Sequence, residues 1–486
     1  MFESFWPQLA SIPHIGPPLA LAWGTYLGVL AVWIIWDKRE PVATLSWLLA
    51  LAALPVVGLA IYYLFGPMRI RRQRIRRARA RAALAAPTVH EEGANLAEVQ
   101  VARLARRTTG LLPKEMRDAR LLRDGAETYE AMLEAIAAAR HHIHLATYIY
   151  DPDATGRCFL DALVARARAG VKVRLLIDSV GSAGTRARFF APLREAGGEV
   201  AWFHPVRLRF PRRPALNQRS HRKLLIVDGA LGFTGGVNLS DTQDPRRRSD
   251  AYCDLHLRFS GAAVQGLQIT FIEDWAYVTG TALCDADFWP RQEGGGSPAL
   301  VIPSGPDSGW EAFHRVAVES IHDAAERVWL VTPYFVPSEA ARMALTNAAL
   351  CGVDVRLMLP RRADSRLVSA AARSYYDELL AAGVRIFEYQ PNVLHAKTML
   401  IDRRHVLIGS ANFDYRSFRV NFELSALVSD AALAQSMEAA WHDFATAVAG
   451  RRPPAKLRRC RSTHPQWIGT PAVFSFRALP SCARCA

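Results

Sequence analysis

The chain repeats itself, and the repeat constrains its architecture more than any other feature. AGVKVRLLID at 169–178 returns as CGVDVRLMLP at 351–360, an offset of 182. HRKLLIVD at 221–228 returns as HAKTMLID at 395–402, an offset of 174. IHLATYIYDPD (143–153) is echoed by RVWLVTPYFVPS (327–338), and FIEDW (271–275) more weakly by AWHDF (440–444). Offsets this long mean two homologous halves, not a solenoid. Within each half, helical spacing as in FLDALVARARAG (159–170) alternates with short apolar strands such as VKVRLLIDSV (171–180). That alternation predicts an α/β fold. The Gly-, Pro- and Ser-rich stretch 290–309 reads as the linker between a first lobe at 121–289 and a second at 310–450.

The chemistry sits in the repeated octapeptide, His-x-Lys-x4-Asp. It gives His221, Lys223 and Asp228 in one half, and His395, Lys397 and Asp402 in the other. Residues two apart on a strand share a face, so each His and its Lys point the same way. Gly235 and Asn238 follow His221 by 14 and 17 positions, and Gly409 and Asn412 follow His395 by the same 14 and 17. Burying His and Lys on apolar strands is costly, so two copies in register demand a use.

The N-terminus adds a membrane. Residues 18–36 and 43–65 carry no charge, and each approaches the roughly 20 apolar residues of a spanning helix. Eight arginines and no acid lie between Arg69 and Arg81, which predicts that this side faces the cytoplasm. Two spans would return the N-terminus to the same side. The run also suits anionic headgroups. Sixty Lys and Arg against 45 Asp and Glu leave a net charge of +15, which favours an anionic partner. The densest basic run follows the apolar segments rather than the motifs, so nucleic acid is the less favoured partner. Seven cysteines in 486 residues are too few for a disulfide scaffold.

These residues resemble the phospholipase D superfamily, whose signature is a duplicated HxKxxxxD. More narrowly they resemble the bacterial cardiolipin synthases with two spans. TLSWLLALAALPVVGLAIYYLFG (44–66), NQRSHRKLLIVDG (217–229), FTGGVNLSD (233–241) and GSANFDYRSFRVNFE (409–423) carry that likeness. The resemblance implies two lobes around a pseudo-twofold axis, with both motifs converging on one site. One histidine attacks phosphorus; the other protonates the leaving alkoxide and then deprotonates the acceptor. By the family pattern His221 is the nucleophile and His395 the acid, although two near-identical motifs leave the order open.

Lys223, Lys397, Asn238 and Asn412 would bind phosphoryl oxygens. Asp228 and Asp402 belong to the signature as supports, because a bare carboxylate would repel a phosphodiester. Asp254 and Glu423, each downstream of a motif, would accept the second ring N–H of the histidines. No metal and no cofactor is implied.

The reaction implied is phosphatidyl transfer between two phosphatidylglycerols, giving cardiolipin and glycerol, in the bacterial inner membrane with cytoplasmic lobes. Its partners would be phosphatidylglycerol and other anionic lipids. Hydrolysis to phosphatidic acid, and a nuclease or phosphodiesterase activity, are the alternatives. Residues 67–120 read as a basic juxtamembrane segment and linker. The tail 451–486 shows no recognisable pattern.

Overall fold

The computed structural model describes residues 41–65, 77–82, 100–205, 217–292 and 295–449, with scattered positions between 18 and 32. The first candidate span, 18–36, is described only at scattered positions, and the tail 451–486 lies outside the described residues. Sixteen strands are described. In the first lobe they are β1 (Lys114–Arg123), β2 (His142–Thr147), β3 (Lys172–Asp178), β4 (Glu199–Phe203), β5 (Leu224–Val227), β6 (Leu231–Gly235) and β7 (Leu255–Ser260). The second lobe has β8 (Ser297–Ser304), β9 (Arg327–Val331), β10 (Phe335–Val336), β11 (Asp354–Pro360), β12 (Arg385–Tyr389), β13 (Thr398–Ile401), β14 (His405–Gly409), β15 (Phe413–Asp414) and β16 (Glu423–Ser429).

Fourteen of these strands form one sheet, in the order β12-β11-β9-β13-β14-β16-β8-β1-β7-β6-β5-β2-β3-β4. The order reads the same from either edge once each strand is replaced by its repeat partner. Its centre is the antiparallel pair β1–β8, with Lys114 opposite Ala299. This is the pseudo-twofold arrangement that the duplication implies. The short parallel pair β10–β15 lies apart from it.

The inner strands β2, β5, β13 and β16 are buried at every position, as sheets covered on both faces require. The covering helices repeat too. Asp153 caps the helix Ala154–Arg168 by accepting from the Gly156 N–H, and Ser338 caps Glu339–Leu350 by accepting from the Ala341 N–H. Each provides the oxygen that an N-terminus needs.

Two boundaries differ from the sequence reading. The stretch expected as a linker, 290–309, contains β8, a central strand paired to β16 from Ala299 to Ser304. Its Gly and Pro content hides it. Pro303 is tolerated because β1 pairs only with residues 297–299 on the other side. The first lobe begins at Lys114 rather than near 121, because β1 is the other central strand.

The second candidate span, 43–65, is not one helix. It consists of α1 (Pro41–Ala53) and α2 (Pro55–Phe65), 13 and 11 residues long. No helix among the described residues is long and apolar enough to cross a membrane. Pro55 supplies no N–H to continue α1. The chain also turns back there. Trp47 and Tyr62 would stand roughly 22 Å apart on a straight helix at 1.5 Å per residue. Their ring centroids are 5.1 Å apart, edge to face. Gly58 permits the approach, since a Cβ there would lie 2.9 Å from the Ala50 carbonyl oxygen. Leu45, Leu49, Leu54 and Val57 remain exposed on this hairpin.

Candidate active site

Both motif histidines lie just before a buried strand, His221 before β5 and His395 before β13. Their backbones are joined to the opposite lobe. His221 N–H donates to the Phe422 carbonyl at 2.8 Å, and Phe422 N–H returns a bond to Arg219 at 2.9 Å. In the same way His395 N–H donates to Cys253 at 2.7 Å, and Cys253 N–H to Val393 at 2.9 Å. Each motif is therefore fastened beside the acid that follows the other motif. The side chains cross accordingly. His221 Nδ1 lies 3.1 Å from Glu423 Oε2, and His395 Nδ1 lies 2.6 Å from Asp254 Oδ2. Each of the two acids named from sequence thus lies against the histidine of the other lobe.

The tautomers follow from the partners. Around His221 Nδ1 stand Glu423 and the Ser410 carbonyl at 2.9 Å, and both can only accept. Nδ1 therefore carries the proton. The Asp254 carboxylate places the proton of His395 on Nδ1 as well. Lys397 Nζ, 2.8 Å from that nitrogen, then donates to the His395 carbonyl instead. Both Nε2 atoms are left with a lone pair.

Burial dominates the electrostatics. It pushes His221 down against the pull of Glu423. Burial and the Lys397 charge push His395 to about 4, so both rings rest neutral. Lys223 falls to about 7 through burial and the neighbouring Lys397 charge. Lys397 falls to about 8 through burial, opposed by Asp254 and Glu423. Burial also works against the two carboxylates. Lys397 and His395 outweigh it at Asp254, and His221 with Lys223 does so at Glu423, so both acids stay ionised.

The signature aspartates stand elsewhere. Asp228 accepts backbone N–H bonds from Arg140, His141 and His142 at 2.7–2.9 Å, at the entry to β2. Asp402 accepts from Ala325, Glu326 and Arg327 at 2.7–3.2 Å, at the entry to β9. Both have positive φ, 53° and 50°, a region that Asp tolerates better than most residues. Replacing Asp228 with Ala removes the partner of three hydrogen bonds in one turn. At about 1 kcal/mol per bond the fold should lose roughly 3 kcal/mol, read by denaturant melting.

Asn238 and Asn412 are buried in equivalent places. Asn238 Oδ1 accepts from the Ile149 N–H at 3.2 Å, which leaves its NH2 to donate. Asn412 Oδ1 is buried with no hydrogen-bond partner. The lobes also differ. Ser410 hydroxyl donates to Glu423 Oε2 at 2.5 Å. Its repeat partner, 174 positions earlier, is Gly236, where a Cβ would come within 2.1 Å of Asp254 Oδ1.

Sequence reasoning missed several neighbours. Tyr148 meets the His221 ring at 4.9 Å and Tyr252 the His395 ring at 5.6 Å. Tyr334 hydroxyl bonds Asp364 at 2.6–2.7 Å in the second lobe. Arg222, between His221 and Lys223, is wholly buried and holds Asp274 through two bonds of 2.6 Å. Only the oddity of an arginine inside an apolar strand entry could have pointed to Arg222. The tyrosines carry no signal of spacing.

Comparison with known proteins agrees with this geometry. Residues 132–249 and 317–443 match the family described as cardiolipin synthase, PLD-like domain. Residues 27–67 match the phospholipase D-nuclease N-terminal family. Cardiolipin synthase of Alkalihalophilus pseudofirmus is 37% identical over 421 residues, 82% of this chain and 82% of that protein. Cardiolipin synthase 2 of Bacillus anthracis is 37% identical over 411 residues, 82% of this chain and 79% of the relative. Among solved structures, phosphatidylserine synthase of Haemophilus influenzae shares the fold, with a TM-score of 0.53 and 14% identity. That match covers 71% of this chain and 90% of that one. With both lobes matched and that identity held over four-fifths of its length, this chain belongs to the bacterial cardiolipin synthase family of the phospholipase D superfamily.

Proposed function

We propose that the protein is a phosphatidyltransferase that joins two phosphatidylglycerols into cardiolipin and releases glycerol. The observation that carries the reading is the crossed pair of histidine–carboxylate bonds, His221–Glu423 and His395–Asp254. Two imidazoles brought to one place with free Nε2 atoms suit a double displacement at phosphorus.

His221 Nε2 attacks the phosphorus of the first lipid. The P–O bond to the glycerol headgroup breaks, and His395 gives its Nε2 proton to the departing oxygen. A neutral His395 must first be charged. The arriving phosphodiester anion, with Asp254 behind the ring, favours the imidazolium. His395 then takes the proton from a terminal hydroxyl of the second lipid. That oxygen attacks phosphorus, the P–N bond breaks and His221 is restored. One phosphodiester replaces another, so no nucleotide is consumed.

Lys223, Lys397 and the amides of Asn238 and Asn412 hold the non-bridging oxygens, where a water-poor site makes each contact count. Asp228 and Asp402 support the backbone at the strand entries. The exposed apolar hairpin α1–α2 and the arginines at 69–76 support attachment to the inner membrane, with the lobes on its cytoplasmic face. There the acceptor lipid is delivered and water is disfavoured.

The test uses the full chain in membranes with phosphatidylglycerol labelled in the headgroup. Cardiolipin and free glycerol should appear in equal amounts. Phosphatidic acid as the main product would make water the acceptor and the protein a phospholipase.

A further inference from the structure

The arginine run after the apolar helices was expected on the headgroups. Two of its members turn the other way. Arg77 and Arg81 lie on a helical segment, 77–82, that packs onto the catalytic lobes. Arg77 is buried. Its guanidinium pairs with Asp274, and its Nε stands 2.7 Å from Asp307 Oδ2. The same group lies 5.0 Å from the ring centres of both Tyr277 and Phe422. Arg81 bonds Glu273 and donates to the Thr109 carbonyl at 2.7 Å.

These acids reach the motif through one residue. Asp274 also holds Arg222. Arg222 Nε donates to the Glu423 carbonyl at 2.9 Å, and its Nη2 to Ser304 at 3.0 Å. Phe422, under the Arg77 guanidinium, is the residue whose carbonyl receives the His221 N–H. Arg77 thus touches both chains that set the His221–Glu423 pair: residues 221–223 through Asp274 and Arg222, and residues 422–423 through the Phe422 ring.

We propose that Arg77 is a positioning residue for phosphatidyl transfer. It fastens the segment that follows the membrane helices to the backbone carrying His221 and Glu423. Arg77 stands twelve positions after Phe65, the last residue of α2, so one short stretch of chain links anchor and site. A buried cluster of acids is stable only while its cations remain. Without Arg77, Asp307 loses that ion pair, and among the described residues Asp274 is left to Arg222. Arg222 is then free to shift, and it carries His221 with it. The inference rests on the histidine mechanism proposed above.

The experiment compares full-length variants in mixed micelles of detergent and phosphatidylglycerol. Turnover is normalised to the folded fraction from thermal melting. Arg77→Ala should lower kcat about 30-fold with KM within about twofold, a loss confined to the transition state. Arg77→Lys keeps the charge without the planar fork and should recover part of the rate. Arg107→Ala, an exposed arginine on the neighbouring helix Gln100–Thr109, should match the parent.

An Arg77→Ala kcat within about twofold of the parent, once corrected for folding, overturns the proposal. So does Arg77→Lys performing no better than Arg77→Ala. If Arg77→Ala does not fold, Asp307→Asn decides. It keeps the Arg77–Asp274 pair and should cost kcat about threefold, and no loss overturns the proposal. His221→Ala runs beside them. Full activity there would refute the histidine mechanism and leave the Arg77 measurements standing.

Discussion

His221→Ala and His395→Ala should each lose about 10^4-fold or more in cardiolipin formation, because nucleophile and acid act as one unit. The two variants part when the leaving group is changed. A phosphatidyl ester of nitrophenol departs without a proton. His395→Ala should therefore still release nitrophenol in one burst, the His221 adduct forming without acid help. His221→Ala should show no burst, since no bond to nitrogen can form. The reverse pattern would exchange the two roles. A burst from both variants would place the nucleophile on another residue. The geometry treats the rings almost alike, each neutral with Nδ1–H on a carboxylate. Chemistry rather than position must separate them.

The parts of this site written in local sequence were legible; those made by topology were not. His221-x-Lys223 and His395-x-Lys397 could be read because their spacing survives in eight residues. Asp254 and Glu423 could be found as acids downstream. Their crossing could not be, because the partners are 141 and 202 residues apart. Only the meeting of β1 and β8 at the centre of one sheet brings them together. Strand β8 was itself disguised, since SPALVIPS begins after a glycine run and contains two prolines. Pro55 was visible in an apolar stretch, yet hydropathy alone does not register the break it makes. Arg77 was hidden for the opposite reason. It looked like its neighbours in a basic run, and only the tertiary fold offers it Asp274 and Asp307.

The carboxylate behind His395 should be nearly as costly to remove as the ring, and costlier than its counterpart behind His221. In Asp254→Asn the amide can present its NH2 to Nδ1. The ring proton then moves to Nε2, the atom that must take a proton from the acceptor lipid. The corresponding change in serine proteases costs about 10^4-fold, and a loss of about 10^3-fold is expected here in kcat. Glu423→Gln should cost less, about 10–100-fold, because the Ser410 carbonyl still accepts the His221 Nδ1–H and keeps its tautomer.

The pH profile gives a second readout that mere structural damage would not produce. Asp254 raises Lys397 against burial, and together they leave it at about 8. Binding of the anionic substrate needs that ammonium, so kcat/KM should fall as pH rises through that value. Without the Asp254 charge the Lys397 pKa drops, and the alkaline fall begins at lower pH. In Glu423→Gln the same reasoning applies to Lys223, whose value of about 7 is also held up by Glu423. An Asp254→Asn enzyme within about threefold of the parent, with its alkaline limb unmoved, would mean that the carboxylate neither fixes the ring nor supports the lysine.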